Sequence, residues 1–177
     1  MIIDLRRILQ TSQRYEFECQ EEWWQAEGDN DSIFALDGPL SVRVELYRAG
    51  DTFVLDGVIE GGVKVVCDRC LEPYHRDVKR VFKELLALPA PAGQEEELEL
   101  ADEDLDVDFI RGEEIELDDI IREQIYLSLP MKLVCAEGCR GLCPGCGVNL
   151  NRGSCRCPSE TGHPGFSRLK DIKFHGS

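Results

Sequence analysis

Residues 40–70 read LSVRVELYRAGDTFVLDGVIEGGVKVVCDRC. Leu40, Val42, Val44 and Leu46 alternate with Arg43 and Glu45, the period of a strand with one face in a core. Ala49–Asp51 is a turn signal. TFVLDGVIEG then forms a second strand broken by glycine, and Gly61–Gly62 predicts a further turn that opens a third strand, GGVKVVC. Cys67-Asp-Arg-Cys70 interrupts the pattern. YHRDVKRVFKELLAL resumes it, with Tyr74, Arg76, Val78, Arg80 and Phe82 in register. Such spacing predicts an antiparallel β-meander, open or barrel-like, with CDRC at a hairpin tip.

Upstream, RYEFECQ alternates Tyr15, Phe17 and Cys19 with charges and reads as a strand, whereas IIDLRRILQ fits a strand or a short helix equally well. Trp23 and Trp24 are expected to anchor the core or an interface. Downstream, Pro, Gly and a dense acidic run over about residues 90–105 predict a flexible loop. VDFI and EIEL read as short strands. Leu117, Ile120, Ile121, Gln124, Ile125 and Leu127 fall at helical spacing, with Asp118 and Asp119 near the positive N-terminus and Pro130 as the stop. The expected architecture is therefore α+β. A β-rich, meander or barrel-like body with one main helix spans 1–130. A cysteine-rich, zinc-ribbon-like tail with a short C-terminal helix from about Pro164 spans 131–177.

The chain has nine cysteines in 177 residues. Its N-terminus mixes acids and bases and has no apolar signal core, and no apolar run approaches the roughly 20 residues of a membrane span. A cytoplasmic location is expected, where structural disulfides are rare. Eight cysteines fall into close pairs: Cys67/Cys70, Cys135/Cys139, Cys143/Cys146 and Cys155/Cys157. Two thiolates two residues apart can face one tetrahedral metal across a tight turn. In LCPGCG, Pro144 stiffens that turn and Gly147 can take positive φ. We expect Cys143, Cys146, Cys155 and Cys157 to hold one Zn²⁺. Cys67 and Cys70, with Cys135 and Cys139, are expected to hold a second that joins tail to body. A partition with Cys135 or Cys139 exchanged into the tail site is open, as are His75 as a competing ligand and an iron–sulfur cluster. Cys19 is expected to be a small buried apolar residue. Catalytic zinc keeps an open coordination position, so closed four-cysteine sites predict structural metal. Such a site contributes about 10–16 kcal/mol to folding, enough to order a tail with little core. A redox C-x-x-C should open a helix within a βαβ unit, which CDRC does not. No phosphate loop, nucleophile elbow or zincin helix is present.

The net charge is −15. Residues 94–119 carry 14 acids and one base, whereas 131–177 carry seven bases and three acids. Arg140, Arg152, Arg156, Arg168, Lys170 and Lys173 are the candidates for contact with RNA phosphates. The acidic run suits a basic protein instead.

Three stretches, VKVVCDRCLEPY, LDDIIREQIYLSLP and CRGLCPGCGVNLNRGSCRC, resemble the YceD-like family of large ribosomal RNA subunit accumulation proteins over about residues 1–173. The resemblance implies a non-enzymatic factor supporting 23S rRNA accumulation and large-subunit assembly. Together with the charge map, this makes pre-ribosomal RNA or a basic ribosomal protein the expected partners; no small-molecule substrate and no membrane are expected. An acidic chaperone for a basic ribosomal protein is the alternative, and a C-x-x-C redox protein is the third reading.

Overall fold

The computed structural model describes residues 1–8, 11–24, 32–50, 52–88, 107–110 and 112–157. The acidic loop expected at about 90–105 lies outside these residues, as does the C-terminal helix expected from Pro164. Contacts divide the chain into two units. One comprises Met1–Val66 and Pro73–Leu133, the other Cys67–Glu72 and Val134–Ser177.

The first unit is mostly antiparallel sheet with one helix. Its strands are β1 (Ile2–Asp4), β2 (Gln13–Cys19), β3 (Ile33–Leu36), β4 (Leu40–Ala49), β5 (Thr52–Val66), β6 (Pro73–Ala87), β7 (Val107–Phe109) and β8 (Glu114–Glu116), followed by α1 (Leu117–Ser128). The main sheet runs β2-β4-β5-β6-β7, and β3 shares one edge of β5 with β4. β1 and β8 pair separately, Ile3 opposite Ile115. Alternation does what period 2 requires: Leu40, Val42, Val44 and Leu46 of β4 are buried, as are Val78, Phe82 and Leu86 of β6. Leu117, Ile121 and Ile125 place one face of α1 in the same cluster. Leu129, extended at ψ 143°, ends the helix as a residue before proline tends to do. The ambiguous IIDLRR is both a strand and a single 3₁₀ turn, in which Asp4 accepts a bond from Arg6 N–H.

One expectation needs correction, and the barrel-like alternative finds no support. The Gly61–Gly62 turn does not exist, because β5 runs unbroken for 15 residues, with Gly61 opposite Val78 and Gly62 opposite Asp77. These glycines provide room across the sheet rather than reversal. A Cβ on Gly61 would lie 2.7 Å from Leu40 Cδ1, one on Gly62 2.4 Å from His75 Cε1, and one on Gly57 2.2 Å from the Phe82 ring. Nor does the sheet close into a barrel among the described residues. β2 pairs only with β4, and β7 lies parallel to β6 at Leu85–Ala87.

The tryptophan pair anchors this unit. Trp24 is buried and donates to Ile33 O at 3.1 Å, and Trp23 Nε1 donates to Asp118 Oδ1 at 2.6 Å. The Arg122 guanidinium lies 4.8 and 5.5 Å from the two ring centroids, a cation–π pairing that ties the tryptophans to α1. Gln124 is the one buried polar residue among those described. Arg80 Nε donates to its Oε1 at 3.0 Å, and its amide donates to Glu84, so helix and β6 share a satisfied polar link. Cys19 is 3 % exposed, and burial pushes its thiol up to about 11.

Candidate metal centres

The second unit gathers all eight paired cysteines. They form two groups: Cys67, Cys70, Cys135 and Cys139, and Cys143, Cys146, Cys155 and Cys157. Within each group the sulfurs lie within 4.8 Å of one another. All nine cysteines of the chain are free thiols.

Both groups are built on the same local turn. In CDRC, Leu71 N–H donates to Cys67 O at 2.9 Å and Cys67 N–H to Glu72 O at 3.0 Å. In CPGC, Gly147 N–H donates to Cys143 O at 2.8 Å and Cys143 N–H to Val148 O at 2.9 Å. The residue after the second cysteine is left-handed in both, with φ 56° at Leu71 and 74° at Gly147. Glycine takes that conformation without a Cβ clash; leucine does not. Gly145 serves a different purpose, since a Cβ there would stand 3.3 Å from Cys157 Cβ and crowd the returning pair. Gly141, at φ 73°, passes so close to Arg69 that a Cβ would lie 2.9 Å from its carbonyl oxygen.

The geometry fits a tetrahedral metal. Four sulfurs at the zinc–thiolate distance of about 2.3 Å define edges of about 3.8 Å. In the first group the Cys67 and Cys139 sulfurs are 3.8 Å apart, as are those of Cys70 and Cys135, matching that edge; in the second, Cys143 and Cys155 stand closer, at 3.2 Å. Proton affinities point the same way. Burial pushes the Cys67 thiol up, but N–H groups of Cys135, Cys70 and Arg69 bring it down to about 6. The Cys155 thiol and the N–H groups of Cys146 and Gly145 bring Cys143 to about 6. Burial and the neighbouring sulfurs push Cys135 up to about 12, and bonds with Cys146 and Cys143 do the same to Cys157. Four thiols this close ionise together only around a cation.

Residues absent from the sequence-based reading surround the sulfurs. Asn151 Nδ2 donates to Cys139 Sγ at 3.4 Å, and Arg69 Nη1 to Cys139 O at 3.0 Å. Glu72 accepts from Asn149 at 3.2 Å and from Arg152 at 2.8 Å. The signal available was two asparagines in a loop between ligand pairs, where amide donors to sulfur are useful. His75 belongs to neither group. Its two ring nitrogens lie 2.7 Å from Asp37 Oδ2 and 2.9 Å from Asp77 Oδ1. Of the six cations offered to RNA, Arg140, Arg152 and Arg156 are exposed. Arg152 is ion-paired with Glu72, and Arg168, Lys170 and Lys173 lie outside the described residues. No helix among the described residues is long and apolar enough to cross a membrane.

Comparison with known proteins gives one family, Large ribosomal RNA subunit accumulation protein YceD, matched over residues 55–173. The Zea mays protein named Large ribosomal RNA subunit accumulation protein YCED homolog 1, chloroplastic, is 30% identical over 158 residues, covering 76% of this chain and 53% of its own. Its Arabidopsis thaliana counterpart is 26% identical, with 76% and 49% covered. An uncharacterized protein of Mycobacterium tuberculosis (strain ATCC 25618 / H37Rv) is 34% identical over 124 residues, with 70% and 53% covered. The chain thus spans about half the length of the curated relatives it matches. No solved structure gives a significant match.

Proposed function

Because the chain belongs to the family of YceD large ribosomal RNA subunit accumulation proteins, we propose that it is a non-enzymatic factor supporting 23S rRNA accumulation and large-subunit assembly in the cytoplasm. The observation that carries this reading is the family match, which takes in both cysteine groups, most of β5, and β6, β7, β8 and α1. Each cysteine group holds one structural Zn²⁺, giving two per chain. The closed, all-sulfur donor sets support this, since they leave no coordination position for a reacting water. Arg140 and Arg156 are exposed and offered to phosphates of pre-ribosomal RNA.

Depletion of the protein in its host tests the function. The expected result is a fall in 23S relative to 16S rRNA and in mature large subunits on sucrose gradients; unchanged profiles would overturn it. Metal analysis of the purified chain tests the sites. Two zinc per chain is expected, and stoichiometric iron would overturn the assignment.

The 14 acids of residues 94–119 favour a second reading, a chaperone that shields a basic ribosomal protein. Neutralising that run would then abolish capture of the ribosomal protein while leaving RNA binding unchanged.

A further inference from the structure

We propose that the two cysteine groups bind metal cooperatively, and that Asn151 is the positioning residue that couples them. This rests on reading both groups as metal sites.

Residues 147–154 connect Cys146 to Cys155, so both ends of the segment are fixed by ligands of the second group. The middle of the segment serves the first group. Asn151 Nδ2 donates to the sulfur of Cys139 at 3.4 Å, while its Oδ1 accepts from Arg140 N–H at 2.7 Å. One side chain thus grips a ligand of the first group and the backbone next to it. Asn149 Oδ1 accepts from Asn151 N and Nδ2, both at 3.0 Å, which holds the amide in its orientation. Asn149 Nδ2 and the Arg152 guanidinium reach Glu72, two residues beyond Cys70. Leu150 N–H donates to Gly141 O at 2.9 Å, and Leu142 N–H to Arg69 O at 3.0 Å, inside the CDRC turn.

Drawing Cys146 and Cys155 onto one metal shortens the freedom of the segment between them. The same step presents Asn151 to Cys139 and Glu72 to its partners. A donor to a ligating sulfur stabilises the thiolate and fixes its direction, and loss of such a partner costs about 10–100-fold in metal affinity. Coupling of this kind is reciprocal, so each site raises the affinity of the other by the same factor.

Titration of the metal-free full chain with Co²⁺, followed by thiolate-to-cobalt absorption, tests this. The wild-type chain is expected to take up two equivalents, with the singly loaded form clearly less populated at half loading than two independent sites would give. Cys155→Ser/Cys157→Ser should weaken cobalt at the first group at least tenfold, and Cys67→Ser/Cys70→Ser should weaken the second by the same factor. Asn151→Ala leaves all eight sulfurs in place. In that background the factor should fall toward one, and the singly loaded form should rise to the level of independent sites. Undiminished affinity of either group when the other is disabled would overturn the coupling, and a factor unchanged by Asn151→Ala would overturn the role of Asn151. Absence of any cobalt absorption in the wild-type chain would instead overturn the metal reading itself.

Discussion

Leu71 occupies the left-handed position that Gly147 fills in the matching turn, and it does so with 62% of its surface exposed. A leucine there carries a backbone cost of about 1–2 kcal/mol that little burial offsets. Leu71→Gly is therefore expected to stabilise the metal-loaded protein by about 0.5–1 kcal/mol, and Gly147→Leu to destabilise it by about 1–2 kcal/mol, both read from thermal melts. His75 permits a pH prediction. Hydrogen bonds with Asp77 and then Asp37 raise its pKa above the ordinary 6.5. Its stabilising contribution is thus complete below about pH 6.5 and disappears as pH rises through the folded value. NMR titration should place that value above 6.5, and His75→Gln should flatten the pH dependence of stability in that window. At this scale the cysteines were legible and their neighbours were not. A C-x-x-C turn is a local object whose spacing declares it, whereas Asn151 meets Cys139 only through the fold of the loop between them.

Among elements, legibility followed periodicity. β2, β4, β6 and α1 carry their period in consecutive residues, so their existence and inner faces could be read directly. β5 defeated the reading at Gly61–Gly62, because glycine signals either a reversal or a close approach, and only cross-strand neighbours distinguish the two. Parallel β7 was equally invisible as to direction, since nothing within three residues records which way a partner runs. Gly57 offers the sharpest check. A methyl there meets the Phe82 ring, so Gly57→Ala should cost about 1–3 kcal/mol in denaturant unfolding. Phe82→Leu should relieve much of that cost, giving a favourable coupling energy in the double-mutant cycle. Additive effects would mean that the ring does not lie over Gly57.

For the molecule as a whole, the fold class was readable: mostly antiparallel sheet with one helix. Contacts group residues 67–72 with Val134–Ser177 rather than with the strands that flank them, a grouping that no local pattern in the sequence records. Metal loading also alters the charge map. Eight thiolates around two dications would add four negative charges to the chain, most of them among residues 131–177, offsetting much of the formal excess of bases there. RNA binding by the loaded chain through Arg140 and Arg156 should accordingly show a shallow salt dependence, with a log–log slope no steeper than about −2. A steep slope, measured by filter binding from low to high salt, would point to many more phosphate contacts. The first cysteine group also sets a schedule for synthesis. Cys67 and its partner Cys139 stand 72 residues apart, with β6 and α1 between them. Cys67 and Cys70 therefore leave the translating ribosome as an open half-site, and stay so until the helix and the following segment have emerged. Closure of this long loop comes late. Under the zinc assignment proposed above it would depend on the metal available at that moment, so a cell short of zinc would accumulate chains complete in sequence but unfinished at the first-made half of their oldest site.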